Sequence, residues 1–344
     1  MLQFRTQGFN GSAVKYSPFF DNRLAVASAA NFGLVGNGRL WILELTPEGI
    51  VPMKWFATQD ALYDLAWSEI HENQVLTASG DGSIKLFDCG VNEFPIQQWK
   101  EHGREVFSVN WNMIAKDKFC SSSWDGTVRI WSPHREQSLL TLPIHSCTYS
   151  ATFTPHSPDL LSAVSSDGQI RLFDLRTPAS ASNHLVMQFR NHGSPGLPGQ
   201  YMPPAAAYPN EVLTHDWNKY RPSILATGGV DTAIRTFDIR SPNPGLAITT
   251  LTGHSYAVKK LSWSPHLSSV LLSASYDMTC RVWSDGSDQP AGQLPSAGSQ
   301  LGMMNKHTEF ATGIDWCLFG NEGWCASVGW DENLFVWDVR GVMT

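Results

Sequence analysis

The chain has 344 residues, of which 42% are hydrophobic and 16% charged, and its formal net charge is −7. This apolar content excludes a disordered chain, and the acidic balance argues against a nucleic-acid binder, which usually has a basic face. The six cysteines form no Cys-x-x-Cys pair, and several lie in apolar runs, which is typical of buried thiols in a reducing compartment. We expect no secretory signal peptide, because the first residues lack a basic-then-apolar pattern. We also expect no membrane span, because no apolar run approaches about 20 residues.

One pattern recurs along the chain: an apolar strand, a short polar stretch, an aspartate, and an alternating strand that ends in Trp or Phe. The aspartates, each six residues before the aromatic, are Asp81, Asp125, Asp167, Asp231, Asp277 and Asp331. A seventh copy, over residues 35–41, has the aromatic but lacks the aspartate. The final aromatic residues are Trp41, Phe87, Trp131, Phe173, Phe237, Trp283 and Trp337.

Most steps between these aromatic residues span 42 to 46 positions, a period typical of WD repeats, in which four strands form one blade. Alternation such as that of residues 127–131 predicts strands with one buried face, and Asp-Gly predicts tight hairpin turns. The sequence therefore predicts an all-β, seven-bladed WD-repeat β-propeller that forms a single domain over residues 1–344. Because few residues follow Trp337, we expect residues 2–8 to supply the outer strand of the last blade and close the ring.

Two steps are longer than the others, and each contains a stretch rich in Gly, Pro and Ser. These stretches, near residues 193–209 and 285–305, are predicted to be loops inserted into blades. No function is inferred for either loop.

The aspartate of each repeat is predicted to be buried and to need partners. In WD repeats these are a His, a Ser or Thr, and the final Trp of the same blade. Two complete networks are predicted: His102, Ser123, Asp125 and Trp131, and His254, Ser275, Asp277 and Trp283. A third is predicted to join His307, Asp331 and Trp337, with Gly329 in place of the hydroxyl.

A His, Ser and Asp trio also suggests a hydrolytic triad. Here the trio recurs at fixed spacing in several repeats, which favours a structural role. The sequence contains no Gly-x-Ser-x-Gly, P-loop or His-Glu-x-x-His motif. We therefore expect no enzymatic activity, no metal and no cofactor.

In WD propellers three positions of each blade point to the narrower face of the ring, here called the top face. They lie three and five residues after the His position and directly before the aspartate. The large or acidic residues at these positions are predicted to bind a ligand: Tyr63, Glu105, Phe107, Trp124, Tyr149, Glu211, Tyr276, Phe310 and Trp330. Aromatic residues of this kind are typical interaction hot spots. The two glutamates, opposed only by Lys259, predict an acidic end suited to a basic amphipathic helix.

Several segments resemble the receptors for the type 2 peroxisomal targeting signal, the peroxin-7 family. They are residues 4–19, 27–33, 38–41, 60–67, 101–111 and 253–260, so the likeness runs from end to end. The resemblance implies an import receptor that cycles between the cytoplasm and the peroxisomal matrix and binds the N-terminal signal of thiolase-type cargo. It also implies contact with the peroxisomal docking machinery and with a co-receptor, which is a dedicated protein in fungi and a long form of the type 1 receptor in animals and plants.

The signal that this family binds has Arg or Lys, then Leu, Val or Ile, five variable residues, His or Gln, and Leu or Ala. Its first, second, eighth and ninth residues share one stripe of a helix, because seven residues make nearly two turns. The resemblance implies that the basic first residue meets Glu105 or Glu211. It also implies that the apolar pair packs on Phe107, Trp124, Tyr276 and Trp330.

The alternative function is a WD-repeat scaffold or adaptor for another complex, with a histone tail or a ubiquitin-ligase substrate as its partner. Histone-binding relatives carry a helix before the first blade, and none is predicted before Val14. A hydrolase, the second alternative, would require turnover that depends on a histidine such as His102. A structural His102 would instead contribute to stability.

Overall fold

The computed structural model describes residues 1–34, 36–91, 93–181, 183–190, 210–288, 297–320 and 322–343. Within these ranges, 28 strands form seven antiparallel sheets of four strands each. This arrangement confirms the predicted all-β, seven-bladed β-propeller. No helix in the described ranges is both long and apolar enough to cross a bilayer.

The strands follow the repeat in chain order, and the N-terminal strand is β1 (Leu2–Arg5). The first blade is β2 (Asn10–Tyr16), β3 (Arg23–Ala29), β4 (Gly38–Thr46) and β5 (Gly49–Thr58). The second is β6 (Leu62–Trp67), β7 (Gln74–Ser79), β8 (Ile84–Asp88) and β9 (Gln97–Trp99). The third is β10 (Val106–Trp111), β11 (Phe119–Ser123), β12 (Thr127–Trp131) and β13 (Leu140–Pro143). The fourth is β14 (Thr148–Phe153), β15 (Leu160–Ser165), β16 (Gln169–Asp174) and β17 (Leu185–Arg190).

The remaining blades repeat this order. The fifth is β18 (Val212–Trp217), β19 (Ile224–Gly229), β20 (Ile234–Asp238) and β21 (Thr249–Leu251). The sixth is β22 (Val258–Trp263), β23 (Val270–Ser275), β24 (Cys280–Ser284) and β25 (Ser299–Met304). The seventh is β26 (Ala311–Trp316), β27 (Trp324–Gly329) and β28 (Asn333–Asp338), with β1 as its outer strand. Short 3-10 segments lie at Ala30–Gly33 and Val339–Gly341.

The N-terminal strand closes the ring as predicted. It pairs antiparallel with β28, so that Leu2 faces Val336 and Phe4 faces Leu334. The Phe4 ring also packs edge-on against Trp41 of the first blade, with 5.7 Å between centroids. Both ends of the chain are thereby tied into one sheet, and its apolar face is covered by the next blade.

The core consists of apolar layers between neighbouring blades. One layer joins Ile42 and Phe56 of the first blade to Leu65, Trp67 and Phe87 of the second. The final aromatic residue of a repeat is buried in such a layer, and Trp131 is 0% exposed. Each sheet has apolar side chains on both faces, so a blade depends on its neighbours to bury them.

The hydrogen-bond network of the third blade differs from the prediction in one residue. His102 Nδ1 lies 2.8 Å from Asp125 Oδ2, and its Nε2 lies 2.7 Å from Ser121 Oγ. Trp131 Nε1 donates to the same hydroxyl at 2.8 Å. The prediction that Ser123 supplies this hydroxyl is wrong: its Oγ accepts from the Asp125 amide and donates to the Arg104 carbonyl.

The same correction holds in two other blades. In the sixth, Ser273 bridges His254 and Trp283 at 2.6 and 2.8 Å, whereas the predicted Ser275 accepts from the Asp277 amide. In the seventh, Ser327 bridges His307 and Trp337 at 3.0 and 3.2 Å. Gly329 therefore does not stand in place of the hydroxyl, because the hydroxyl is present two residues earlier.

Blades without the histidine hold their aspartate with a cation from the following strand. Lys85 Nζ lies 3.0 Å from Asp81 Oδ2, and Arg171 Nη2 lies 2.5 Å from Asp167 Oδ2. Burial alone would raise the pKa of Asp81, but hydrogen bonds from Ser83 and Lys85 lower it to about 2. In these blades a cation four residues after the aspartate thus pairs with the carboxylate where the other blades have the histidine.

The two predicted loops have different outcomes. The loop near residues 193–209 lies outside the described residues. The prediction of a loop near residues 285–305 is wrong in its last part. There β25 occupies Ser299–Met304 and pairs with β24 as the outer strand of the sixth blade. Residues 289–296 lie outside the described part of the chain.

Candidate functional site

All seven inner strands share an irregularity that aims side chains at the top face. The register between the inner and the second strand shifts across one residue, as between Leu62 and Asp64 or between Val106 and Ser108. A β-bulge of this kind bends the strand and redirects the extra side chain. The residues at these seven positions are Ser12, Tyr63, Phe107, Tyr149, Leu213, Lys259 and Thr312.

A backbone hydrogen bond at the top of the blade brings the other predicted positions together. The Trp124 amide donates to the Glu105 carbonyl at 3.1 Å, and the Trp330 amide donates to the Phe310 carbonyl at 2.9 Å. Tyr276 is tied to Ala257 in the same way at 3.0 Å. The residue before the aspartate is therefore held beside the residue three positions after the histidine.

Four predicted residues from the second, third and fourth blades form one aromatic cluster, here called cluster A: Tyr63, Phe107, Trp124 and Tyr149. The Phe107 ring stacks between Tyr63 and Trp124, with 4.7 Å between centroids on each side. Tyr149 meets Phe107 edge-on at 5.9 Å. All four side chains are half-buried, so cluster A presents apolar surface at the top face.

Three further predicted residues, together with one that the sequence analysis missed, form cluster B: Phe32, Tyr276, Phe310 and Trp330. The Phe310 ring lies 4.7 Å from Tyr276 and 5.0 Å from Trp330. Phe32 packs on Trp330 at 5.5 Å and is 48% exposed. The first copy of the repeat lacks the aspartate turn, and its loop instead places Phe32 in a left-handed conformation with φ 59°. Sequence spacing carried no signal for that conformation, which is uncommon for a residue other than glycine.

A cavity of about 110 Å³ opens between the two clusters at the mouth of the central channel. Tyr63 and Phe107 of cluster A and Tyr276 and Trp330 of cluster B line it. Lys259 also lines the cavity, with its Nζ 5.6 Å from the centroid of the Phe107 ring. The site is therefore an apolar depression bordered by aromatic rings.

The two predicted glutamates have different surroundings. Glu211 accepts a hydrogen bond from the Tyr149 hydroxyl at 2.6 Å, and no residue that the structure describes forms an ion pair with it. Burial raises the pKa of Tyr149 well above its usual value, and the bond to Glu211 raises it further, so the hydroxyl stays protonated and donates. Glu105 Oε2 lies 3.5 Å from Arg104 Nε. The Arg104 guanidinium also lies over the Trp124 ring, with its Cζ 5.3 Å from the ring centroid.

Arg104 corrects one detail of the prediction, because Lys259 is not the only cation that opposes the two glutamates. The structure brings all nine predicted residues to the top face, and seven of them belong to cluster A or B. Of the two glutamates, Glu211 has the less neutralised carboxylate, because Glu105 pairs with Arg104.

Comparison with known proteins agrees with this architecture. The family described as "WD domain, G-beta repeat" matches residues 93–132, 136–174 and 245–284. The peroxisomal targeting signal 2 receptor of Saccharomyces cerevisiae is 44% identical, over 99% of this chain and 100% of that receptor. The receptors of the same name from Schizosaccharomyces pombe and Homo sapiens are 33% and 34% identical, over 98% and 90% of this chain. This chain belongs to the peroxisomal targeting signal 2 receptor family.

Within this receptor family member, the His, Ser and Asp trios have the geometry of structural networks. The side chains of His102, His254 and His307 are 0% exposed, and each bonds to a serine and an aspartate of its own blade. Each trio instead ties a tryptophan in the core to a turn at the top of its blade. The described residues contain no group of three or more His, Cys, Asp or Glu side chains that could hold a metal ion.

Proposed function

We propose that the top face binds the N-terminal type 2 targeting signal of cargo proteins as an amphipathic helix, for delivery to the peroxisome. The observation that carries the proposal is the pair of aromatic clusters on either side of one cavity, with the Glu211 carboxylate at the edge of cluster A. The name shared by the relatives, peroxisomal targeting signal 2 receptor, supports the same role.

The proposed binding mode follows from the geometry of both partners. The first, second, eighth and ninth residues of the signal form one stripe of a helix. Its apolar residues would pack on Phe107 and Trp124 of cluster A and on Tyr276 and Trp330 of cluster B. Its basic first residue would pair with Glu211, which the Tyr149 hydroxyl already holds in place. Because Glu211 is partly buried and hydrogen-bonded, an ion pair with it would contribute to affinity as well as to specificity.

The proposal extends to the partners of the receptor. A signal helix that lies on the top face would leave its outer side uncovered, and a co-receptor can cover that side. In fungi the co-receptor would be a dedicated protein, and in animals and plants a long form of the type 1 signal receptor. The complex would then meet the docking machinery, and the receptor would cycle between the cytoplasm and the peroxisomal matrix.

The experiment is a binding titration with a fluorescent type 2 signal peptide, with and without co-receptor. We expect Trp124→Ala and Glu211→Gln each to weaken binding by about tenfold or more, as loss of a hot-spot residue does. Glu309→Gln, which removes an exposed carboxylate next to Phe310, is the matched control and should leave affinity unchanged. A peptide with an acidic first residue should recover affinity for Glu211→Lys.

Equal affinity of all folded variants for the peptide would refute the site. A histone-tail peptide serves as the comparison ligand. If it binds more tightly than the signal peptide, the adaptor function replaces the receptor function.

A further inference from the structure

The face opposite the top face has its own repeated construction. This bottom face consists of the loops between the inner and the second strand of each blade. In the second blade, Ser68 Oγ accepts hydrogen bonds from the amides of Ile70 and His71, each at 3.1 Å. Asn112 and Asn218 hold the amides of the third and fifth loops with their side-chain oxygens. The capping residue folds the loop back, and apolar side chains one to three residues after the cap are exposed, as in Met113 and Ile114 of the third blade and Leu267 of the sixth.

The residues directly after these caps surround the lower mouth of the central channel. They line a cavity of about 210 Å³ that reaches into the channel. The six residues of this inner ring are Pro18, Glu69, Met113, Lys219, Pro265 and Leu318. Four of the six are apolar, and Met113 and Leu318 are 45% and 47% exposed.

A second, outer ring of apolar side chains surrounds the mouth. It comes from the same loops in six of the seven blades, and each member is between 38% and 50% exposed. The members are Phe19, Ile70, Ile114, Tyr220, Leu267 and Phe319. Single exposed apolar residues are normal, but here ten apolar side chains come from the loops of one face, and such concentrations mark binding surfaces.

The charges of the cavity indicate the chemistry of its ligand. Its three lysines are each paired with an aspartate: Lys15 with Asp315 at 2.8 Å, Lys219 with Asp216 at 2.8 Å and Lys260 with Asp64 at 3.3 Å. The remaining carboxylate is Glu69, and none of the residues that the structure describes forms an ion pair or hydrogen bond with it. Burial raises the pKa of Glu69, and Lys116 only partly offsets that effect. A cation from outside would relieve this uncompensated negative charge.

We propose that the bottom face binds an apolar segment of a partner protein that carries one lysine or arginine, which pairs with Glu69. The apolar side chains of that segment pack on the two rings, and its basic side chain enters the mouth of the channel. An anionic membrane surface fits less well, because Glu69 and the exposed Glu72 and Glu322 face it. The inference does not depend on cargo recognition, since its residues lie at the opposite end of the ring.

The test uses a display library of random dodecapeptides, selected against the intact protein while its top face is saturated with signal peptide. We expect selected peptides to carry one Lys or Arg among apolar residues. Their dissociation constants should rise about tenfold for Glu69→Gln and for Phe319→Ser, as for other buried contacts at an interface. Glu72→Gln removes an exposed carboxylate three residues away and should change affinity by less than about twofold.

A charge reversal makes the test specific, because a peptide with Glu in place of its basic residue should bind Glu69→Lys better than it binds the wild-type protein. The proposal is overturned if no peptides are selected or if the selected peptides lack a basic residue. It is also overturned if their affinity does not change in Glu69→Gln. Binding to vesicles with anionic headgroups that is lost in Phe319→Ser would also overturn it, in favour of a lipid surface. Unchanged circular dichroism spectra and urea midpoints of the same variants show that they are folded, so a failure of this proposal remains distinct from a failure of signal binding.

Discussion

Each complete network depends on one serine, whose hydroxyl lies between the buried histidine and the buried tryptophan. Ser121 accepts from Trp131 and bonds to His102, and both of these side chains are fully buried. We predict that Ser121→Ala lowers the free energy of unfolding by about 1–3 kcal/mol, the cost of leaving buried polar groups unpaired. Urea unfolding would measure the change. Ser255→Ala, which removes an exposed hydroxyl, should be neutral, and equal effects of the two variants would contradict this account.

The choice between Ser121 and Ser123 shows where spacing stops being informative. Both residues lie on β11 two positions apart, so alternation places their side chains on the same face of the strand. The pairing of Trp131 with Phe119 fixes where Trp131 Nε1 lies along β11, and at that position Nε1 bonds to Ser121. Ser123 lies at the end of the strand, where the turn needs its hydroxyl.

A buried histidine in the channel wall makes stability depend on pH. His215 Nε2 lies 2.7 Å from Ser162 Oγ, and burial lowers the pKa of His215 to about 4. Between the unfolded pKa near 6.5 and this folded value, only the unfolded chain binds the proton, so stability falls as pH falls. We predict that the wild-type protein loses about 1 kcal/mol per pH unit more than His215→Gln in this range. Urea midpoints at pH 7.5 and 5 would test this, and parallel losses would refute it.

At the scale of elements, the N-terminal strand holds the seventh blade to the first. Phe4 packs on Trp41, whereas the neighbouring Gln3 points to the other side and is exposed. We predict that Phe4→Ala lowers the free energy of unfolding by about 1–2 kcal/mol, less than a fully buried Phe would cost. Gln3→Ala should be nearly neutral. If thermal unfolding shows the same melting temperature for both variants, closure does not depend on this contact.

The strands themselves could be predicted because each repeat contains an alternating pattern and a turn residue. β25 was missed because residues 285–298, rich in Gly, Ser and Pro, precede it, and because its own Gly302 is a poor strand former. The positions on the top face could be assigned from the family geometry. The physical cause of the position five residues after the His position is a β-bulge in every inner strand. It leaves no mark on the spacing, because the residues at the bulges range from Ser12 to Phe107.

At the scale of the whole molecule, the ring separates two surfaces of different composition. The top face has two aromatic clusters around an apolar cavity, and the bottom face has loop residues around a channel with paired charges. Seven stacked sheets hold both surfaces on a scaffold whose layers are buried between blades. Cargo and a second partner could therefore occupy opposite ends without competing.

The central claim is that the signal helix lies between clusters A and B. The most direct measurement is photo-crosslinking with a type 2 signal peptide that carries a photoreactive group at its second residue, followed by mass spectrometry of the adducts. The account predicts adducts at Phe107, Trp124, Tyr276 or Trp330, and fewer of them when unlabelled peptide competes. Competed adducts confined to the bottom-face loops, such as residues 68–73, or to the outer strands would contradict it.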